Sequence, residues 1–494
     1  MTTRLSHAVL PRLPASVKVP GYARSTVTAG IVHLGIGAFH RAHQAVYTDD
    51  ILVDDPTWGI VAASLRNPAT RDALEPQDGL YTLSIRSDEG ERLRVIGSVL
   101  QVIVAPEALE DLIRIMSDPA TRIVSLTVTE KGYCYDPATG ALNEAHPEIV
   151  HDLSHPSLPR SAPGLIVEAL RRRRSAGIPP FAVMSCDNLP ANGRTVKRVL
   201  SRYAEMLDRD LGAFVREHVA CPSTMVDRIV PATTDEDRER ISRLLGATDA
   251  WPVMTEPFTQ WVIEDDFPQG RPAWENAGAQ FVSDVEPFEH MKLRLLNGSH
   301  STLAYLGYLA GYETVADTMA DPAFERLIQG LMDEEVTPTL HLPPGTDLQS
   351  YKQALVTRFK NPALRHRTAQ IAMDGSQKLP QRLLGTVRDR LAKDEPIRRL
   401  ALGVAAWMRY VTGRDERGEP IDVRDPMAER LRRTADEAGP EPRDIAQGLL
   451  GIGEIFGDDL PQNQAFTNAV TSALDTLFRK GAQATVRETT LSSF

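Results

Sequence analysis

Residues 30–40 read GIVHLGIGAFH, and the fold turns on them. Gly30–Gly37 is a short apolar run of strand character that ends in glycines, and Ala38–Val53 follows with helical spacing. Strand, glycine turn and helix in that order form the context a phosphate-binding turn needs. Glycines let the backbone approach a pyrophosphate, and a helix N-terminus offers amide donors and a favourable dipole. Gly35, Gly37, Ala38 and Phe39 are the expected cofactor contacts, although His40 stands where GxGxxG would have its third glycine.

The same alternation continues outward. Gly59–Leu65 (GIVAASL), Arg92–Val104, Arg122–Thr129 (RIVSLTVT) and Phe181–Cys186 read as strands, with Pro106–Ser117 and Pro163–Arg174 helical among them. Strands alternating with helices indicate an α/β fold, a doubly wound parallel sheet of Rossmann type. Asp136–Ile149 and Phe267–Trp274 read as loops or insertions. The four arginines Arg171–Arg174 close a helix and read as a solvated end that complements its dipole. From about residue 287 the character changes. Lys292–Tyr312, Pro322–Met332, Asp347–Phe359, Pro380–Leu391, Pro396–Val411 and Gln462–Arg479 all carry helical spacing, and extended strand patterns vanish. A Rossmann-type dinucleotide-binding domain over 1–286 and a mainly α-helical domain over 287–494 are expected.

Composition narrows the function. At 494 residues the chain is long enough for two or three domains. Its 42% hydrophobic and 24% charged residues are ordinary for a soluble globular protein, and a net charge of −11 argues against nucleic acid as partner. Cys134, Cys186 and Cys221 show no paired spacing, which points to a reducing cytosol rather than a disulfide or zinc framework. The N-terminus lacks the apolar core of a signal peptide, and no 18-residue apolar run exists, so no membrane partner is expected.

Two common ways of activating a hydroxyl are missing. His40 and His43 are spaced i, i+3, but with no third ligand nearby they read as cap, helix-surface or packing histidines. A short-chain dehydrogenase would need a Tyr followed by a Lys four residues later, and none of the eleven tyrosines meets that requirement. Met291–His300 (MKLRLLNGSH) and Ser185–Gly193 (SCDNLPANG) remain. On an ideal helix at about 100° per residue, Lys292, His300 and Asn297 fall at about 0°, 80° and 140°, within one arc. A Lys shielded from water can lose its charge and act as a general base, while the amides of Asn188 and Asn297 could stabilise a developing alkoxide. The same residues also suit a surface Lys, a helix-capping Asn and a core His, and spacing leaves both readings open. The second strand ends at Arg66-Asn67 rather than at an acidic residue, so NAD and NADP stay open on these residues alone.

Gly35–Tyr47 (GIGAFHRAHQAVY), Ser125–Cys134 (SLTVTEKGYC), Val183–Gly193, Met225–Pro231 (MVDRIVP), Glu256–Asp265 (EPFTQWVIED) and MKLRLLNGSH resemble the polyol-specific long-chain dehydrogenases. That family includes mannitol 2-dehydrogenase and fructuronate reductase. The resemblance runs from about residue 30 to the C-terminus. It implies an NAD-dependent, metal-independent oxidoreductase, cytosolic and a monomer or weak oligomer, acting on a small polyol or sugar acid. Carried over by motif, Lys292 is the general base, Asn188 and Asn297 form the oxyanion hole, and His300 orients substrate. Asp227 lies near nicotinamide and substrate, Glu289 serves proton exchange with solvent, and Gly35, Gly37 and the following turn hold the pyrophosphate.

Substrate choice is carried by Asn361–Leu384, which resembles the fructuronate reductase branch more than the mannitol branch. Gln370 stands where mannitol dehydrogenases have a substrate-contacting Arg before the Asp-Gly pair, and Arg365, His366 and Arg367 cluster upstream, with Lys378 after. Arg pairs bidentately with carboxylate, so Arg365, Arg367 and Lys378 are the expected substrate contacts; a surface basic patch is the other reading of the same residues. Asn188-Leu189-Pro190 and Ala250–Val253 resemble the mannitol branch. The favoured reaction is D-fructuronate to D-mannonate, with mannitol–fructose interconversion and then arabinitol oxidation as alternatives. A non-catalytic dinucleotide-binding sensor predicts the loss of Lys292, Asn188 or Asn297, and all three are present.

Overall fold

Five parallel strands form the central sheet of the first unit: β1 (Ala29–Leu34), β2 (Gly59–Ser64), β3 (Val99–Val104), β4 (Ile123–Leu126) and β5 (Ala182–Ser185). Their spatial order is β3-β2-β1-β4-β5, so the winding reverses between β1 and β4. In open sheets of this kind ligands bind beyond the carboxyl ends of the strands at that switch point. The computed structural model describes residues 3–136 and 139–491, in two compact units, Met1–Glu286 and Pro287–Phe494.

Both faces of the sheet are covered, which is why its strands read as near-continuous apolar runs. Val32, Leu34, Val61, Ala63, Val124 and Leu126 pack on one face with helices Leu109–Ser117, Ala162–Ser175 and Asn192–Leu207. Ile31, Ile60, Ala62, Ile123 and Met184 pack on the other with Trp58, Trp261 and Trp274. Burying each such aliphatic side chain contributes about 1.5–3 kcal/mol.

Four sequence expectations for this unit are refined. The helix over Ala38–Val53 is two, α1 (Ala38–Ala42) and α2 (Gln44–Ile51), broken at His43, whose φ −126° and ψ −90° are not helical. Arg92–Val104 spans two strands: Gly90–Ile96 pairs antiparallel with Tyr81–Ser87, and only β3 joins the parallel sheet. The loop expected at Asp136–Ile149 contains a short strand pair, Tyr135–Asp136 with Ala141–Leu142, and the start of helix Pro147–Ser154; its residues 137 and 138 lie outside the described residues. The arginine run is not simply solvated. Arg171 and Arg172 pair with Glu168, but Arg173 is 1% exposed and donates to the carbonyls of Thr121, Asp118, Met116 and Pro179. Burial of this guanidinium is tolerable because its donors meet these four carbonyl oxygens.

The second unit is helical. Arg398–Val411 packs against α3 (Gly298–Leu309) and the helical stretch Gln464–Leu491, which is two helices meeting at a kink at Gly481 (φ +78°, ψ +167°), and Trp407 is fully buried. Three short stretches, Lys292–Asn297, Leu331–Val336 and Pro380–Leu384, are π-helical. Among the described residues no helix is long and apolar enough to cross a membrane.

Candidate active site

The turn after β1 is built tightly. Gly35 has φ +96°, and a Cβ there would lie 2.2 Å from the Thr127 carbonyl oxygen, so only glycine fits. The Gly35 carbonyl accepts from Thr127 Oγ1 at 2.7 Å. His33 braces the same point: its ring nitrogens lie 2.8 Å from Ser125 Oγ and 2.9 Å from Thr127 Oγ1, and its ring stacks on His40 at 3.4 Å. Burial pushes His33 down to about 3, so the ring is neutral at physiological pH. His40 and His43 are also buried, as packing side chains, with His43 Nε2 2.9 Å from the Gln260 carbonyl oxygen and its ring stacked on Phe39.

Gly37 differs from Gly35. Its φ is −83°, and the nearest atom to an added Cβ is 3.8 Å away. The missing side chain leaves the backbone of Gly37, Ala38 and Phe39 open at the switch point, and that cradle fits a pyrophosphate. Helix α1 is only five residues long and the Gly35, Ile36 and Gly37 amides donate to the Ala63 and Gly35 carbonyls, so the amides of Ala38 and Phe39 rather than a long helix dipole supply the attraction. Arg66 follows β2, its side chain 74% exposed and 3.2 Å from Glu148. An exposed pair of this kind is weak enough to exchange for another anion.

Asn188 lies in the exposed loop after β5, and that loop is pinned from both sides. Asp187 accepts from the Val128 and Thr129 amides and from Tyr133 Oη, tying the end of β5 to the end of β4. Asn192 Nδ2 donates to the carbonyls of Asp187 and Thr224, and its Oδ1 accepts from the Thr224 amide. Strand Thr224–Asp227 is thereby joined to the same loop and ends in the buried Asp227. Burial raises the Asp187 carboxyl to about 6. The sequence alone marks Asp187 as the neighbour of Asn188 at the end of an apolar run but assigns it no role, and it gives none to His33 or Asn192; a polar residue inside the apolar strand β1 was the available signal for His33.

In the helical unit, Lys292 (7% exposed) and Asn297 begin and end one π turn, with Glu289 on the preceding Glu286–Met291 and His300 on α3. The arc calculated for an ideal α-helix does not apply, because i→i+5 bonding widens the turn; π turns of this kind recur at functional sites. His300 is held well below its ordinary value by burial first, then by His366, Arg358 and Arg382. It is a neutral hydrogen-bonding group, with Phe359 at 4.6 Å and the edge of His366 at 5.2 Å.

Arg365 and Arg367 are not brought to His300. Their side chains are 73% and 66% exposed and face Glu313 at 3.9 and 3.6 Å. Lys378 folds back on its own loop, donating to the Met373 carbonyl at 2.5 Å. The arginines whose charge reaches His300 are Arg358 and Arg382, which lie outside the basic cluster that stood out in the sequence.

Among the described residues, one group of metal-ligand type, Cys134, His146 and Glu148, has its ligand atoms within 4.8 Å of one another. Glu148 is already paired with Arg66, and burial pushes the Cys134 thiol up to about 12.

Residues 29–276 match the mannitol dehydrogenase Rossmann domain and residues 284–478 the mannitol dehydrogenase C-terminal domain. The chain is 51% identical over 470 residues to D-mannonate oxidoreductase of Escherichia coli (strain K12), covering 94% of this chain and 96% of that protein. It is 42% identical over 482 residues to mannitol 2-dehydrogenase of Aspergillus terreus, covering 95% of each. The structure of Pseudomonas fluorescens mannitol 2-dehydrogenase in a ternary complex with NAD and D-mannitol superposes with a TM-score of 0.88 at 42% identity, over 99% of this chain and 100% of that one. A Rossmann sheet with an open glycine turn, a helical unit carrying a buried Lys, and matches over both halves at this identity have one explanation: the chain belongs to the mannitol dehydrogenase family of oxidoreductases.

Proposed function

We propose that this family member is an NAD-dependent oxidoreductase that interconverts D-fructuronate and D-mannonate. The observation that carries the choice of substrate is the 51% identity to a D-mannonate oxidoreductase, against 42% to mannitol 2-dehydrogenase. The Asn361–Leu384 segment supports the same branch. Gly35, Gly37, Ala38 and Phe39 would hold the cofactor pyrophosphate, with Arg66 and Asp227 as further cofactor contacts. Bound NAD would supply the hydride acceptor for oxidation of the CH–OH carbon, and NADH the hydride donor for reduction of the ketone.

Lys292 acts as general base, taking the hydroxyl proton through Nζ as the alkoxide forms. Its burial supports the role, because a base shielded from bulk water is not levelled by it. Asn188 and Asn297 donate amide N–H groups to the developing oxyanion. Neutral His300 orients a substrate hydroxyl, Lys378 lends positive charge near the site, and Glu289 passes the proton toward solvent. The exposed Arg365 and Arg367 take no part.

NADH oxidation with D-fructuronate and D-fructose side by side, compared as kcat/KM, tests the reading. A fructuronate preference of about 10²-fold is expected, since a charge-assisted contact contributes about 1.5–3 kcal/mol. A preference for fructose would instead make the chain a mannitol 2-dehydrogenase.

A further inference from the structure

Arg382 has no task in the reaction as described, yet it lies against the residues that perform it. It sits on the π turn Pro380–Leu384, which packs on the π turn Lys292–Asn297. The approach is close: a Cβ added at Gly298 would lie 2.8 Å from the Arg382 carbonyl oxygen. The guanidinium turns toward the start of α3, where Nη1 donates to Ser301 Oγ at 3.1 Å, one residue past His300. A guanidinium has five N–H donors. Among the described residues Arg382 uses one of them, on a neutral hydroxyl, and forms no ion pair with a carboxylate.

Among the described residues, no carboxylate is one of the groups that shift Arg382. Burial lowers Arg382 from its ordinary value, and the Tyr305 hydroxyl, the group that acts against this, is itself buried and neutral at physiological pH. The groups acting on His300 are His366, Arg358 and Arg382 itself, and His366 in turn feels Lys378. A partly buried cation with one neutral partner is costly, and an anion arriving with the substrate removes that cost. A neutral polyol or ketose brings no such anion, whereas a sugar acid does.

We infer that Arg382 is the residue that binds the carboxylate of a sugar-acid substrate, fixing which end of the molecule lies beside Lys292, Asn297 and His300. The inference rests on the sugar-acid reading proposed above. It moves the carboxylate contact from Arg365 and Arg367, out at the surface, to a side chain on the pair of packed π turns.

The test measures kcat/KM for NADH oxidation with D-fructuronate and D-fructose in the wild type, Arg382→Gln and Arg382→Lys. The ratio of fructuronate to fructose should fall by about 10- to 10²-fold in the Gln variant, the loss of one charge-assisted contact. The Lys variant, which keeps the charge without the planar fork, should fall between the two. Fluorescence titration with NADH verifies that each variant is folded; should the Gln variant fail this, the Lys variant carries the test, and its ratio must lie below wild type. A wild type that prefers fructuronate with variants that keep that preference, or that lose both substrates equally, would overturn the role of Arg382 while the sugar-acid reading stands. A wild type that prefers fructose overturns both.

Discussion

Gly35 and Gly37 stand two residues apart in one turn, and the structure assigns opposite consequences to filling them. In Gly35→Ala the new methyl would sit 2.2 Å from the Thr127 carbonyl oxygen and 2.7 Å from its carbon. That is backbone following β4, not the tip of a flexible side chain, so the turn must open. The residue would also hold φ +96°, a left-handed conformation costing an L-residue about 1–2 kcal/mol. Opening the turn strains the 2.7 Å hydrogen bond from Thr127 Oγ1 to the Gly35 carbonyl, worth about 0.5–1.5 kcal/mol. A loss of about 2–3 kcal/mol follows, or a fall in Tm of about 5–10 °C for a unit of this size. Gly37→Ala meets nothing nearer than 3.8 Å and keeps an ordinary φ of −83°, so its stability should stay within about 0.5 kcal/mol of wild type. Its methyl occupies the pyrophosphate approach, and NADH affinity should drop by about 10- to 10²-fold. Scanning calorimetry and NADH fluorescence titration on both variants separate the two effects. Wild-type NADH affinity in Gly37→Ala would refute the cradle; an unchanged Tm in Gly35→Ala would refute the contact with Thr127.

Lys292→Ala should abolish turnover while NADH affinity barely changes, and Asn297→Ala should lower kcat by about 10²-fold, as lost oxyanion donors do; a largely active Lys292→Ala enzyme would remove that side chain as the base. Asp187, raised by burial to about 6 from 3.8, holds a proton in the folded state that the unfolded chain has released. Its contribution to stability therefore declines as pH rises from about 4 to about 6 and is constant above. Asp187→Asn should remove that slope, so that urea unfolding at about pH 4.5 and about pH 7 favours the variant more at the higher value. Parallel pH dependences in the two proteins would mean that the carboxyl titrates normally.

The parallel sheet was legible because strands covered on both faces leave long apolar runs, and because Gly35 answers to a backbone demand that only glycine meets. The break at His43 was not, since the apolar spacing of Ala38–Val53 continues across it and the interruption depends on ring packing from elsewhere in the unit. The same limit hid the π turns: Lys292–Asn297 and Pro380–Leu384 carry ordinary helical composition, and i→i+4 and i→i+5 bonding differ by a single residue. Arg365 and Arg367 drew attention as a cluster, whereas the arginines whose charge reaches His300 are the solitary Arg358 and Arg382, each in a helical pattern. Arg173 repeats the lesson in reverse, being one of four adjacent arginines and the one that goes inside. Clustering in sequence measures net charge; burial depends on which carbonyl oxygens a fold happens to present.

The π turn at Lys292–Asn297 makes this helix sensitive to counting. A π turn accommodates one residue beyond the α turn it replaces. Deleting any one residue between Lys292 and Asn297 would let the turn close in the ordinary α way: four steps of about 100° replace five of roughly 80–85°, so the flanking helix keeps its phase while the widened turn itself is lost. Every functional side chain would still be present and the helix would be, if anything, more regular. Substitutions in this stretch leave the widened turn in place, whereas the loss of one codon removes it and brings Lys292 and Asn297 one position closer along the helix.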